Sequence, residues 1–172
     1  MTIFLFPTEL EAAKFRRLQP SERVVISGVG MAATAATLSR LHREYGLGAG
    51  DIVVLAGIAG SYDVQIAVGS VVEVIEECCV ELPERFRCSY RVAAATPLRA
   101  VRSNSVHRTF EAPTDAQVEN MEGAALFAMA EALGFRAVEI RAISNMVADE
   151  FAAWNIDLAT SKLAEELLRL YP

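Results

Sequence analysis

Several things are scarce in this sequence. Cysteine occurs three times in 172 residues, tryptophan once and histidine twice. So few cysteines, and an odd number of them, read as the reduced thiols of a cytoplasmic chain rather than a disulfide framework. Cys78, Cys79 and Cys88 have no fourth ligand at a zinc-binding spacing, so no metal site is expected. Basic charge is also short. There are 16 Lys and Arg against 22 Asp and Glu, a formal net charge of −6. Nucleic-acid binders show the opposite balance, and that class is excluded. Long apolar runs are missing as well. The longest, VVLAGIAG over 53–60, is strand-sized, so no membrane span is expected. The start, MTIFLFPTELEA, has neither a basic n-region nor a small-residue cleavage site, so no signal peptide is expected.

Apolar residues are plentiful, at 53% of the chain. That suffices for a sizeable core and excludes disorder. The length predicts one domain over 1–172. Strand-like and helix-like patterns alternate along it. Strands are predicted at 2–6 (TIFLF), 23–27, 51–56, 70–75 and 137–143. Helices are predicted from Pro7 or Thr8 to 18, over 31–45, 119–133 and 155–170. Thr8 with Glu11 three residues on has capping-box spacing. Segment 76–118 is expected to be irregular, with two short strands. The alternation predicts an α/β fold, a three-layer sandwich with a twisted mixed sheet flanked by helices. Ligands in such sheets sit beyond the carboxyl ends of strands. That singles out 8–11, 28–31, 57–62 and 144–147.

Each motif has a plain structural reading beside a functional one. Gly28-x-Gly30-x-x-Ala33 fits a dinucleotide fingerprint, but Asp51 starts the next strand rather than ending it. A tight turn that helps shape a ligand site is the better reading. Gly57-Ile58-Ala59-Gly60 is read as a loop where backbone amides approach a ligand closely. No Walker lysine follows it. Glu11 and Glu122 each lie in the first turn of a predicted helix, where dipole compensation alone explains an acid. As a pair near strand ends they are what glycosyl chemistry needs. Ser144 and Asn145 are expected directly after a buried strand. Trp154 reads as core, with pocket lining as the alternative. A Ser-His-Asp triad through His107 has no nucleophile-elbow sequence to support it.

These motifs together resemble the nucleoside phosphorylase/nucleosidase superfamily. The matching pieces are PTELEA, SGVGMAATAATL, GIAGS, VENMEGAAL and IRAISN, in that order and over nearly the whole chain. Within it the sequence is similar to the futalosine hydrolases, which share TELE, GIAGS, MEGAA, IRAISN and the following WNI. That family cleaves hypoxanthine from futalosine in a route to menaquinone. The methylthioadenosine/S-adenosylhomocysteine nucleosidases are its sister group.

The resemblance implies site roles. Glu11 matches the carboxylate that activates water. Glu122 matches the holder of the ribose hydroxyls, and Met121 packs on the sugar. Asn145 falls where adenine-specific members carry aspartate, with Arg141 and Ser144 supporting it. Val106, His107 and Trp154 match positions lining the base or its far end, and 57–60 the ligand loop. It also implies a homodimer, a purine nucleoside as the small-molecule partner and no metal or organic cofactor. An amide at 145 suits a 6-oxopurine, whose O6 and N7 accept and whose N1–H donates. Ile58 in place of a hydroxyl, and no arginine after the first strand, favour water over phosphate. Segment 78–104 is shorter than in the family, where it helps close over the ligand. Two other readings stay open: an adenosine-type nucleosidase, and a catalytically degenerate nucleoside-binding homologue.

Overall fold

In a computed structural model, residues 1–109 and 114–172 are described. Strand β1 (Thr2–Phe6) shows how the layers arise. Its side chains alternate, as a pleated strand requires. Ile3 and Leu5 enter one core with Leu38, Leu41, Leu126 and Phe127. Phe4 and Phe6 enter the other with Phe15, Leu163 and Leu167. Helices α1 (Glu9–Leu18) and α4 (Ile156–Leu170) therefore cover one face of the sheet. Helices α2 (Met31–Tyr45) and α3 (Gly123–Leu133) cover the other.

The remaining strands are β2 (Val24–Ile26), β3 (Ile52–Ser61), β4 (Val71–Cys78), β5 (Ser89–Arg91), β6 (Arg99–Ser105), β7 (Val118–Asn120) and β8 (Arg136–Met146). Parallel pairings join β1 to β2 and β3, β3 to β8, β4 to β6 and β6 to β7. Antiparallel ones join β3 to β7, β4 to β5 and β4 to β8. The sheet is mixed, as expected, and part of it closes. Strands β3, β8, β4, β6 and β7 form a continuous ring of pairings.

Three expectations are corrected. Residues 57–60 are strand, not loop. They pair with β8 through a register shift at Ala59/Gly60, which is what lets a Gly-rich stretch stay in the sheet. Ser144 and Asn145 lie inside β8, not after it, because β3 runs alongside as far as Met146. The helix expected from Glu119 starts only at Gly123. Residues 118–120 instead close the ring as β7, since β3 and β6 offer them partners on both sides. Tertiary pairing overrides the helical pattern there. Residues 110–113, part of the segment expected to be irregular, lie outside the described residues. Among the described residues no helix is long and apolar enough to cross a membrane.

Candidate active site

Past the end of β1, and against the carboxyl-terminal stretches of β3 and β8, lies a cavity of about 340 Å³, lined by Glu11, Met121, Glu122, Ser144 and Asn145 among others. Thr8 caps α1, and its hydroxyl accepts from Glu11 N at 3.3 Å. In a capping box the Glu11 carboxylate reaches back to the cap backbone. Here it turns into the cavity wall. Oε2 accepts from Thr8 Oγ1 at 2.6 Å and Oε1 from Ile58 N at 2.9 Å. Ile58 N is available because β1 pairs with β3 only as far as Leu55. Burial pushes the Glu11 carboxyl up, while the Thr8 and Ile58 bonds and the Arg141 charge oppose it.

Glu122 is the N-cap residue of α3, not part of its first turn. Asn120 Oδ1 accepts from the backbone N–H of both Glu122 and Gly123, each at 2.8 Å, and fixes the turn. The carboxylate is held from two sides. Oε1 accepts from Gly30 N at 2.9 Å, and Oε2 from Arg141 Nη2 at 3.2 Å. Gly30 has φ 95°, a backbone region side chains disfavour, and this turns its N–H toward Glu122. The glycine turn after β2 thus serves a carboxylate of the site.

Asn145 has a defined amide orientation. Ser144 Oγ donates to Oδ1 at 2.7 Å, and Nδ2 donates to the Met146 carbonyl at 2.9 Å. A flipped amide would set its oxygen against that carbonyl. One N–H and one lone pair of the amide remain for a ligand.

The other expected positions divide. Ile58, Ala59, Gly60, Val106 and Trp154 line the cavity. Gly57 and Arg141 lie behind its wall. A Cβ at 57 would stand 2.6 Å from Arg141 Nη1 and 2.8 Å from Glu11 Oε1, so glycine lets the two groups approach β3. Arg141 is fully buried and spans Glu139, Glu122 and Asn120. His107 is not in the cavity wall. It is exposed, and Nδ1 and the backbone N–H both meet Glu81 at 2.7 Å, which anchors it outside. Trp154 is half-buried wall rather than core, tilted on Phe151 with ring centroids 5.1 Å apart. Its Nε1 is buried with no partner among the described residues.

Leu10 and Val29, within the segments singled out after strands, line the cavity too, and so do Glu119, Arg108 and Phe151, which no sequence signal marked. Glu119 accepts from Tyr62 Oη at 2.6 Å. It was hidden by the helical reading of 119–133; a β-strand reading of 118–120 would have exposed it. Among the described residues no cluster of His, Cys, Asp and Glu is arranged to hold a metal.

The model of the phosphorylase superfamily matches residues 88–171, which span β5 to α4 and include Asn120, Glu122, Arg141 and Asn145. No curated protein matches the chain by sequence. Solved structures of the same fold include the 5'-methylthioadenosine/S-adenosyl homocysteine nucleosidase of Helicobacter pylori, at TM-score 0.83 and 12% identity, over 98% of this chain and 96% of that one. The native futalosine hydrolase of Helicobacter pylori matches at TM-score 0.82 and 13% identity, over 98% and 96%. The Arabidopsis thaliana 5'-methylthioadenosine nucleosidase in apo form matches at 0.80 and 18%, over 98% and 93%. The chain thus shares the whole fold of these enzymes with little of their sequence.

Proposed function

We propose that this chain hydrolyses the N-glycosidic bond of a 6-oxopurine nucleoside, with futalosine the foremost candidate and hypoxanthine the released base. The observation that carries the reading is the convergence of Glu11, Glu122 and Asn145 on one cavity. The named nucleosidases and the futalosine hydrolase of the same fold support it.

The chemistry follows from charge. Breaking the bond builds positive charge on the sugar and negative charge on the departing base. Glu122, steadied by Gly30 and Arg141, accepts from the ribose hydroxyls and stabilises the sugar cation. Glu11 takes the proton of the attacking water. Its burial raises its basicity, which suits that task. The remaining Asn145 N–H meets charge growing at N7 or O6 of the base. Asn145 does not ionise, so the proton on the leaving base comes from solvent or a relay.

Water is favoured over phosphate. Arg141 is already engaged by two carboxylates, and Ile58 brings no hydroxyl. The neutral amide also favours a 6-oxopurine over adenine. A binding-only protein would have little need of a buried water-activating carboxylate. Leu10, Val29 and Phe151 are exposed around the cavity mouth. An apolar rim of this kind favours a homodimer in which a second copy covers it. Three unpaired cysteines suit a cytoplasmic location.

The test is an endpoint assay of purified protein with futalosine, inosine and methylthioadenosine, each with and without phosphate. Free hypoxanthine from futalosine without phosphate is the expected result. Adenine alone would favour the adenosine-type reading; no base from any substrate would favour a binding protein. Asn145→Asp is expected to shift preference toward adenine nucleosides, and an unchanged preference would remove Asn145 from base selection.

A further inference from the structure

Behind the cavity lies a second pair of carboxylates that the proposed reaction does not use. Glu77 on β4 and Glu139 on β8 are both fully buried. Glu77 Oε2 accepts from Ser105 Oγ at 2.7 Å, and its Oε1 from Asn120 Nδ2 at 2.5 Å. Glu139 Oε1 accepts from Arg141 Nε at 2.8 Å. Glu139 Oε2 has no donor among the described residues. It converges with Glu77 Oε1 beneath the first residue of α3. A Cβ on Gly123 would stand 2.2 Å from Glu77 Oε1 and 2.5 Å from Glu139 Oε2. Only glycine leaves room for both oxygens.

Two ionised carboxylates do not share a dry site, because neither is solvated and each repels the other. One proton between them removes a charge and gives Glu139 Oε2 its missing donor. Burial, and after it the Glu139 charge, pushes the Glu77 carboxyl well above the usual carboxylate range. Burial raises Glu139 as well, but Arg141 opposes it by charge and hydrogen bond. The proton therefore sits on Glu77, and Glu139 faces Arg141 as the anion.

We propose that Glu77 and Glu139 hold one proton between them and act as a positioning pair, which leaves Arg141 shared between Glu139 and Glu122 and so fixes the Glu122 carboxylate in the cavity. The groups around the pair are few. Arg141 faces it from β8, Glu122 from the turn before α3, and Cys79 from the end of β4. Glu11 reaches it only through Arg141. The first turn of α3 carries no charge, and β6 and β7 contribute the neutral Ser103, Ser105 and Asn120. Ionising Glu77 sets three carboxylates against one guanidinium. Arg141 is then drawn to its 2.8 Å partner Glu139, and its 3.2 Å bond to Glu122 yields.

The kinetic part rests on the nucleosidase reading; the shared proton does not. Infrared spectra of the full chain at about pH 8, where ordinary glutamates are ionised, are expected to show a protonated-carboxyl C=O band. Glu77→Gln should abolish it, since it leaves Glu139 an anion beside Arg141 with a neutral partner. No such band, or one that survives in Glu77→Gln, overturns the shared proton. In hydrolysis, the alkaline limb of kcat/KM should move up by about one pH unit or more in Glu139→Gln, whose amide supplies the donor at any pH. A limb that stays in place overturns the positioning role, since a merely structural contact would not set it. If no nucleoside is hydrolysed, the nucleosidase reading fails and thermal melting judges the pair. The raised carboxyl stabilises the fold below its ordinary unfolded value and loses that contribution as pH rises through its folded value. Wild-type Tm should therefore fall with rising pH more steeply than that of Glu139→Gln. Equal slopes overturn the pair.

Discussion

Glu11 and Glu122 face a cavity; Glu77 and Glu139 face each other. Both pairs are buried, and both meet in Arg141. The cavity pair is held by backbone amides, with Ile58 N donating to Glu11 and Gly30 N to Glu122. The inner pair has side-chain donors for three of its oxygens and none for the fourth. A carboxylate with amide donors is prepared to act as an anion. Two carboxylates short of a donor are prepared to keep a proton. One buried arginine is thus given two unlike sets of partners, and the difference separates proposed chemistry from support.

The largest way to break the comparison is to remove what the pairs share. Arg141→Leu should destabilise the fold by about 3–5 kcal/mol, because several buried carboxylates lose their counter-charge. Denaturant unfolding checks this. Glu11→Gln should separate the pairs: turnover is expected to fall by roughly 10²–10⁴-fold, while substrate binding survives. Its melting temperature at neutral pH should rise. The Glu11 carboxyl is raised by burial, so its ionisation above that value costs stability that a neutral amide does not. A drop in both activity and stability would give Glu11 the supporting role instead.

Gly123→Ala addresses the inner pair alone. Its methyl would enter the space of two carboxylate oxygens, and a loss of about 1–3 kcal/mol is expected, read from the unfolding midpoint. The smallest effect belongs to Thr8→Ala. Loss of the cap should cost about 1 kcal/mol. It also removes a bond that holds the Glu11 carboxyl down. A water-activating base must be ionised, so kcat/KM falls as pH drops through the raised Glu11 value. The acid limb of the pH–rate profile should therefore move up in Thr8→Ala, and an unmoved limb would mean that Glu11 does not govern it.

Much of the fold was legible in the chain. TIFLF alternates between two cores as written, and α2 spans 31–45 as its capping glycines mark it. Glu11, Met121, Glu122, Ser144 and Asn145 do meet at one cavity. The motifs were readable because each is local, a few consecutive residues within or just after a strand. His107 went the other way, and Trp154 followed what the family resemblance implied rather than what its residue type suggested. His107 is claimed by Glu81, and Trp154 stands at the wall rather than in the core. Neither outcome has a local signature.

By itself, the sequence determined the α/β alternation, the two apolar faces and the two carboxylates placed after strands. Periodicity and turn chemistry act over a few residues, and those features need no more. Only the tertiary structure decided that β3 and β7 complete a ring, that Arg141 stands behind the cavity, and that Glu77 and Glu139 touch although 62 positions separate them. Such contacts depend on which strands pair and in which register, a choice made by burial over the whole sheet.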